Sequence, residues 1–465
     1  MMQTKRKQMF LQLYDHTGFE RKLEAMALKG WKLEKCGTFL GWKFRKIEPA
    51  KLRYKVVYFP DASEFDPAPG DRQAEYIELC DKSGWEYIDH SAQMLIFCTG
   101  YPYATPIETD AMMQVETVHK AMKKSYLPGQ IGLLALAIFQ LLLFLYRWQR
   151  EPVNMLLFDG LIMSYVSYII LGVLCAYHLV QYFLWRRKAL AAAEDGRFVG
   201  TKGRTFLEKL SLVILAAWFI PWLVSLADNL YLLKVALLTF VTLVGVIALV
   251  GGTKTLMQNM NVSTETNRTI SWLLVVLGPL VAIVVIMGGI VSNAGDDYEV
   301  GKPHVGTYEF AGITHYVYDD PIPLTLEQLG IDADYEYRSR VQDATKSMLI
   351  TVYNGQEIAP WGTPVENPPE LYYTVTVPRF KGLTEHCAAD ILEDKRIRGL
   401  YGETVAVDAQ AWSAEAAYGC VDEDGAEPRY YILVYADRIV EISFPSAPTE
   451  EQIDIAVSIL KNYEP

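Results

Sequence analysis

Apolar and polar positions follow three rhythms along the chain, and each rhythm predicts a different kind of structure. Through residues 1–126, short stretches alternate at strand spacing or recur at helical spacing. From 127 to 292 apolar residues run nearly without interruption, and from 293 onward short alternating stretches return.

In the first part, "KRKQMFLQLY" (5–14) reads as a strand and "FERKLEAMALK" (19–29) as a helix. Phe19, Leu23, Met26 and Ala27 share one face of that helix, leaving Glu20, Arg21, Lys22 and Glu24 in water. Thr17 and Glu20 offer a capping box at its start, and Gly30 can take the positive φ that ends it. Trp31 and Leu33 then alternate on a strand, a hairpin turns near Gly37, and Leu40, Trp42 and Phe44 alternate on the return. "KLRYKVVYFP" (51–60) follows as a third strand with Leu52, Tyr54, Val56 and Tyr58 on one face, closed by the loop "DASEFDPAPGD". The module then begins again: a helix over about 71–83 with Ile77 and Cys80 inward, a stop at Gly84, Trp85 and Tyr87 on a strand, and the return strand "QMLIFC". The two Gly-Trp steps are 54 residues apart. This pattern predicts an α+β domain, ferredoxin-like in outline, with an internal helix–Gly-Trp–hairpin repeat. Trp31, Trp85 and Trp42 are its candidate packing or interaction residues; rings just after a helix stop can cover the helix end, and the alternative is stacking on a ligand.

"LEAMALKGWKLEK", "LRYKVVYFP" and "YIELCDKSGWEYI", followed by membrane spans, resemble the bacterial membrane proteins grouped as domain of unknown function 2812. The resemblance covers about residues 10–125. It implies a Gram-positive lineage and a neighbouring PadR-like transcriptional regulator as a partner, hence a regulatory or envelope-stress setting. It brings no catalytic residues with it.

The second part contains five stretches long enough to cross a bilayer, which takes roughly 20 helical residues. They are about 130–148, 160–184, 209–227, 229–251 and 269–292, the third and fourth separated only by Asp228 and Asn229. Before them, "MMQTKRKQMFLQLYDHTGFE" lacks the apolar core of a secretory signal, so the N-terminal domain is expected in the cytoplasm. Lys and Arg agree: Lys120, Lys123 and Lys124 precede the first span, seven cations from Arg186 to Lys209 follow the second, and Lys254 and Arg268 flank the loop before the fifth. Arg147 and Arg150 run against this trend. With five spans the C-terminus lies outside the cell.

Charge divides the chain at the same places. Residues 1–126 carry 19 Lys and Arg against 17 Asp and Glu, residues 127–292 carry 12 against 7, and residues 293–465 carry 12 against 31. The acidic part is therefore a second domain, exported and solvated, and its charge opposes binding to nucleic acid or anionic lipid. Strands are expected at 372–378, 413–420 and 429–445, the last a hairpin turning at Ala436-Asp437. A closing helix, "PTEEQIDIAVSILKN", has Thr449 as cap and Ile453, Ile455, Ala456 and Ile459 inward. Cys36, Cys80 and Cys98 read as free cytoplasmic thiols, whereas Cys387 and Cys420 could form one disulfide.

Catalytic patterns are not found. None of the seven histidines forms HExxH, "GIDADYEY" (330–337) lacks the glycine and glutamate of a calcium loop, and "GGTKT" (251–255) fails the spacing of a phosphate loop. His386 beside Cys387 reads as a strand pair facing opposite ways. His178 is the polar residue to watch within a span, as a packing hydrogen bond or as part of a solute path. The expectation is a membrane protein with no cofactor or metal, non-enzymatic, linking the envelope to a cytoplasmic regulator. The alternative is a transporter or channel component.

Overall fold

The computed structural model describes residues 3–9, 12–37, 41–67, 69–91, 93–201, 213, 216, 230–297, 304–310, 312–332, 338–359, 367–393, 402–421 and 427–464. The chain divides into two compact units, residues 1–140 with 166–297 and residues 141–165 with 298–465.

The N-terminal domain in the first unit is a twofold β-α-β-β repeat. Its first copy is β1 (Thr4–Lys7), α1 (His16–Ala27), β2 (Trp31–Lys35) and β3 (Trp42–Lys46); its second is β4 (Arg53–Tyr58), α2 (Asp71–Lys82), β5 (Glu86–Ser91) and β6 (Met94–Thr99). Each copy makes its own antiparallel sheet, with orders β1-β3-β2 and β4-β6-β5. The register shifts at Leu33/Lys35 in one and at Tyr87/Asp89 in the other, so even the bulge recurs after 54 residues. Gly30 and Gly84, at φ +78° and +87°, end the two helices where a side chain would be strained. The two copies meet through Lys32 and Glu86, the same position in each, joined by an ion pair of 2.5 Å. Equivalent residues touching is the mark of an approximate two-fold axis. These two three-stranded sheets differ from the single sheet of a ferredoxin-like outline.

Three local expectations are corrected. The first strand is Thr4–Lys7 rather than 5–14, with Phe10 and Leu11 outside the described residues. Helix α1 starts three residues early, because Asp15 accepts from Gly18 N–H and takes the cap that Thr17 was expected to supply. Glu20 and Glu24 are not simply solvated: their carboxylates accept from the backbone N–H of Val56 and Tyr54 on β4. That edge of β4 has no strand partner among the described residues, and the two glutamates bond its N–H groups at Tyr54 and Val56.

Helix α3 (Ala111–Lys124) joins the core, and α4 (Tyr126–Arg150) leads away from it. The helices α6 (Asp159–Ala193), α7 (Leu230–Asn259) and α8 (Thr264–Asp297) follow, α4 and α6 being separated by the short α5 (Pro152–Leu157). Among the described residues four helices are long and apolar enough to cross a membrane: α4, α6, and stretches of α7 and α8. The expected third span, 209–227, and the Asp228-Asn229 turn lie outside the described residues, save Val213 and Ala216. Small residues set the helix contacts: a Cβ on Gly172 of α6 would lie 3.2 Å from Ala137 of α4, and one on Gly278 of α8 would lie 2.8 Å from Val246 of α7.

The second expected span, 160–184, stops short of its helix, which runs 35 residues or roughly 50 Å. Its last part is core: Leu179, Tyr182, Trp185 and Ala189 are buried with Phe19, Leu23, Tyr58 and Met122 of the N-terminal domain. The α7–α8 connection also belongs to this unit. Lys254 pairs with Glu64 at 2.8 Å, Gln258 donates to the Glu64 and Asp66 carbonyls, and the fully buried Asn267 donates to Phe65 O.

In the second unit, β7 (Gly306–Phe310) and β8 (Ile313–Val317) form a hairpin. A seven-stranded antiparallel sheet comprises β9 (Ser339–Lys346), β10 (Ile350–Ile358), β11 (Leu371–Pro378), β12 (Glu403–Ala406), β13 (Ala416–Val421), β14 (Tyr430–Val434) and β15 (Ile439–Ser443). Its order is β12-β13-β14-β15-β11-β10-β9. Both faces are covered, so consecutive residues such as Ile432 and Leu433 are each buried, on opposite sides. The helix α10 (Glu450–Leu460), held by the capping box of Thr449 and Gln452, lies on one face with Leu324, Leu326 and Trp412. On the other face lie α9 (Lys381–Glu393) and Leu156 of α5. His386 and Cys387 thus sit on a helix, not a strand, and His386 stacks on Trp148 at 4.7 Å. Cys387 and Cys420 are not joined in a disulfide, both are buried in one cluster, and burial beside Asp390 pushes the Cys387 thiol up to about 12.

Candidate functional site

The β4 strand begins with the exposed Arg53, which donates to Tyr101 O after β6, and two residues on Lys55 is half-buried against Glu20 of α1 and Glu108. There, within the first unit, is a cavity of about 460 Å³ bounded by His16, Glu20, Lys55, Trp85, Glu108 and the stretch Phe198–Gly200 that follows α6. Lys55 lies between two carboxylates, 3.5 Å from Glu20 and 2.9 Å from Glu108, with all three side chains largely covered. Gln114 of α3 donates to Glu108, and Val56 N–H donates to Glu20.

One ammonium shared by two carboxylates leaves an excess negative charge in a poorly hydrated place. Burial raises the Glu20 pKa, opposed by Lys55 and reinforced by Glu108. Burial works against the charge on Lys55 as well, but Glu108 and Glu20 outweigh it and hold its pKa above the usual lysine value. His16 forms the adjacent wall. Burial and the nearby Lys55 push it down to about 4, so the ring is neutral and its Nδ1–H donates to Tyr14 O. The ring packs edge-on to Tyr58 and Trp185.

The aromatic residues of the lining are Trp85 and Phe198. Trp85 is buried, its Nε1–H donating to Thr105 O at 2.7 Å, while the Arg53 guanidinium sits 5.5 Å from the ring centre. Trp185 of α6 donates to Val199 O, and Thr17 and Thr201 exchange backbone-to-hydroxyl hydrogen bonds at 3.2 Å. The cavity therefore has a charged floor, an aromatic side, and a rim supplied by the chain leaving α6. It can accommodate a small molecule or a partner's side chain, and the floor offers both charge signs.

The residues singled out in the sequence fall in different places. Trp85 borders the cavity, whereas Trp42 is buried against Phe19, the rings parallel and 5.2 Å apart. Trp31 is half-buried under the Lys5 ammonium, at 4.1 Å. His178 lies on α6 just before the part buried in the N-terminal domain, with its Nε2 3.4 Å from the side-chain amide of Gln12. Among the described residues no three His, Cys, Asp or Glu side chains are placed to hold a metal ion. Glu20, Lys55, Glu108 and His16 escaped sequence reading. Their only local signal is Glu20 and Glu24 one turn apart on α1, which by itself reads as a solvated face.

Residues 16–129 match the family described as Protein of unknown function (DUF2812), which agrees with the resemblance carried by the two Gly-Trp modules. No curated protein and no solved structure matches the chain.

Proposed function

We propose that this membrane protein is a non-enzymatic sensor whose N-terminal domain is the cytoplasmic output and whose acidic C-terminal domain is the external input. The observation that carries the reading is helix α6. Its first turn belongs to the second unit, where the Asp159 carboxylate accepts from Met348 N–H, and its last part belongs to the first unit, as core of the N-terminal domain. The segment after it forms a wall of the cavity. A continuous helix with side chains fixed at both ends can carry a shift only if an external ligand binds two positions of it with different affinity.

Sidedness has two supports. The end of α4 with Trp148, and Leu156 beyond it, are packed in the acidic unit, while the α7–α8 connection and the segment after α6 are packed in the N-terminal unit. The cations of the loops favour the N-terminal side as cytoplasmic. Five spans, with 209–227 as the third, fit that arrangement.

The test is crosslinking and affinity purification of the intact protein from native membranes, beside Lys55→Met and Glu108→Gln variants. A DNA-binding regulator of the PadR-like kind, recovered with the intact protein and reduced in the variants, is the expected result. Recovery of a transport subunit would move the assignment to a transporter component. A partner set unchanged when the N-terminal domain is deleted would overturn the proposal. His178, on which a solute path would rest, hydrogen-bonds the N-terminal domain, and that contact supports a joint rather than a path.

A further inference from the structure

Several cations near the ends of the spans are matched within the protein, and others, such as Lys120 and Arg187, are simply exposed to solvent. Lys124 donates to the carbonyls of Pro60, Asp61 and Ala62, Lys254 pairs with Glu64, and Arg197 pairs with Asp195. One group is different. Lys123, on the last turn of α3, and Arg186, on α6, have no ion-pair or hydrogen-bond partner among the described residues. The Arg186 Nε–H is buried and unsatisfied, which is unfavourable for a polar group.

His119 completes the group. Its Nδ1 is 2.7 Å from the Tyr182 hydroxyl and its ring is stacked on Tyr182, 6.3 Å between centres. Burial, Arg186 and Lys123 all lower its pKa, so the ring is neutral and one of its two nitrogens carries the proton. In the tautomer that accepts from Tyr182 O–H at Nδ1, the Nε2–H is left as a donor. Lys123 lies one turn beyond His119 on α3 and Arg186 one turn beyond Tyr182 on α6, so the His119–Tyr182 contact brings the two cations to one place, and neither has an acceptor among the described residues.

Their surroundings indicate what would supply one. On α6 the exposed apolar residues Val180, Phe183 and Leu184 come directly before Arg186, Arg187 and Lys188. Exposed apolar side chains continue into α4 from Ile131. The group is thus one helical turn from the apolar surface, the depth of lipid headgroups. We infer that His119, Lys123 and Arg186 form a binding site for the phosphate of an anionic phospholipid. The acceptor oxygens would satisfy the Arg186 Nε–H, and the acyl chains would cover Phe183 and Leu184. This goes beyond the sensing role and does not depend on it.

The experiment uses the full chain, purified in detergent, with phosphatidylglycerol, phosphatidylcholine or inorganic phosphate added separately. Native mass spectrometry counts retained lipid, and a thermal melt reads stabilisation. Phosphatidylglycerol should bind in preference to phosphatidylcholine, and Lys123→Gln with Arg186→Gln should weaken it about thirtyfold, at about 1 kcal/mol per cation. Arg186→Lys, which keeps the charge but loses the Nε–H, should fall between, while Lys188→Gln serves as a folded control with near-normal retention. Equal binding of the two lipids, unchanged retention in the double variant, or an equal effect from inorganic phosphate would each overturn the lipid site. Loss of partner crosslinking without loss of lipid would bear on the sensing role alone.

Discussion

At the scale of residues, the two glycines that punctuate the repeat differ in what their missing side chains would meet. A Cβ on Gly30 would lie 2.8 Å from the Ile47 carbonyl oxygen, whereas one on Gly84 would be 3.5 Å from the Ala104 methyl group. Both have positive φ, which costs any other residue about 1–2 kcal/mol. Gly84→Ala should therefore destabilise by about that amount and Gly30→Ala by more, measured as midpoints of chemical denaturation. His16 gives a second expectation. Its folded pKa of about 4 lies below the unfolded value, so between those values the unfolded chain binds a proton that the native domain refuses. Stability must then fall as pH drops from about 7 toward 4, by up to about 3 kcal/mol. Melting of the full-length protein followed by tryptophan fluorescence should show this slope, and His16→Gln should flatten it. Sequence alone could mark Gly30 and Gly84, because a helix stop is a local signal. It could not mark His16, whose environment is made by Lys55, Tyr58 and Trp185 from distant parts of the chain.

At the scale of elements, charges at sheet edges have structural work. Lys55 holds Glu20 and Glu108 together beside the unpaired edge of β4, and Lys55→Met would leave two neighbouring carboxylates without their cation. A loss of about 3 kcal/mol is expected, with Glu108→Gln in the same background restoring part of it. In the acidic domain the fully buried Glu357 accepts from Leu326 N–H and from the Arg340 Nε, with Arg338 3.4 Å away. Glu357→Ala should loosen β10 and the 324–329 segment together, seen as faster hydrogen exchange in both. The repeat was visible in the sequence as two helix–Gly-Trp–hairpin passages, but its completion by β1 and β4 was not. Those strands become equivalent only through pairing with β3 and β6, and the loops preceding the two helices differ in length.

At the scale of the whole molecule, sidedness is the expectation most open to direct test. The native cysteines are buried apart from the half-buried Cys36, so a single introduced thiol has little background. A membrane-impermeant maleimide should label Lys381→Cys in intact cells, and Glu75→Cys only after the cells are broken. Labelling of both in intact cells, or the reverse order, would contradict the proposed topology. Sequence by itself determined that this chain has apolar helices of membrane length between two α+β domains, and that the first domain is duplicated. Those properties are periodic and local, written in runs, helix stops and alternating strands. Tertiary structure decided that α6 ends inside the N-terminal domain, that the stretch before it belongs to the acidic unit, and that His16, Lys55, Trp85 and Glu108 border one cavity. An apolar stripe meant for lipid and one meant for a protein core obey the same periodicity, and only the neighbours that fold against it tell them apart. The two Gly-Trp steps follow the same rule: both glycines stop a helix, but the fold left Trp31 half-buried and set Trp85 beside the cavity.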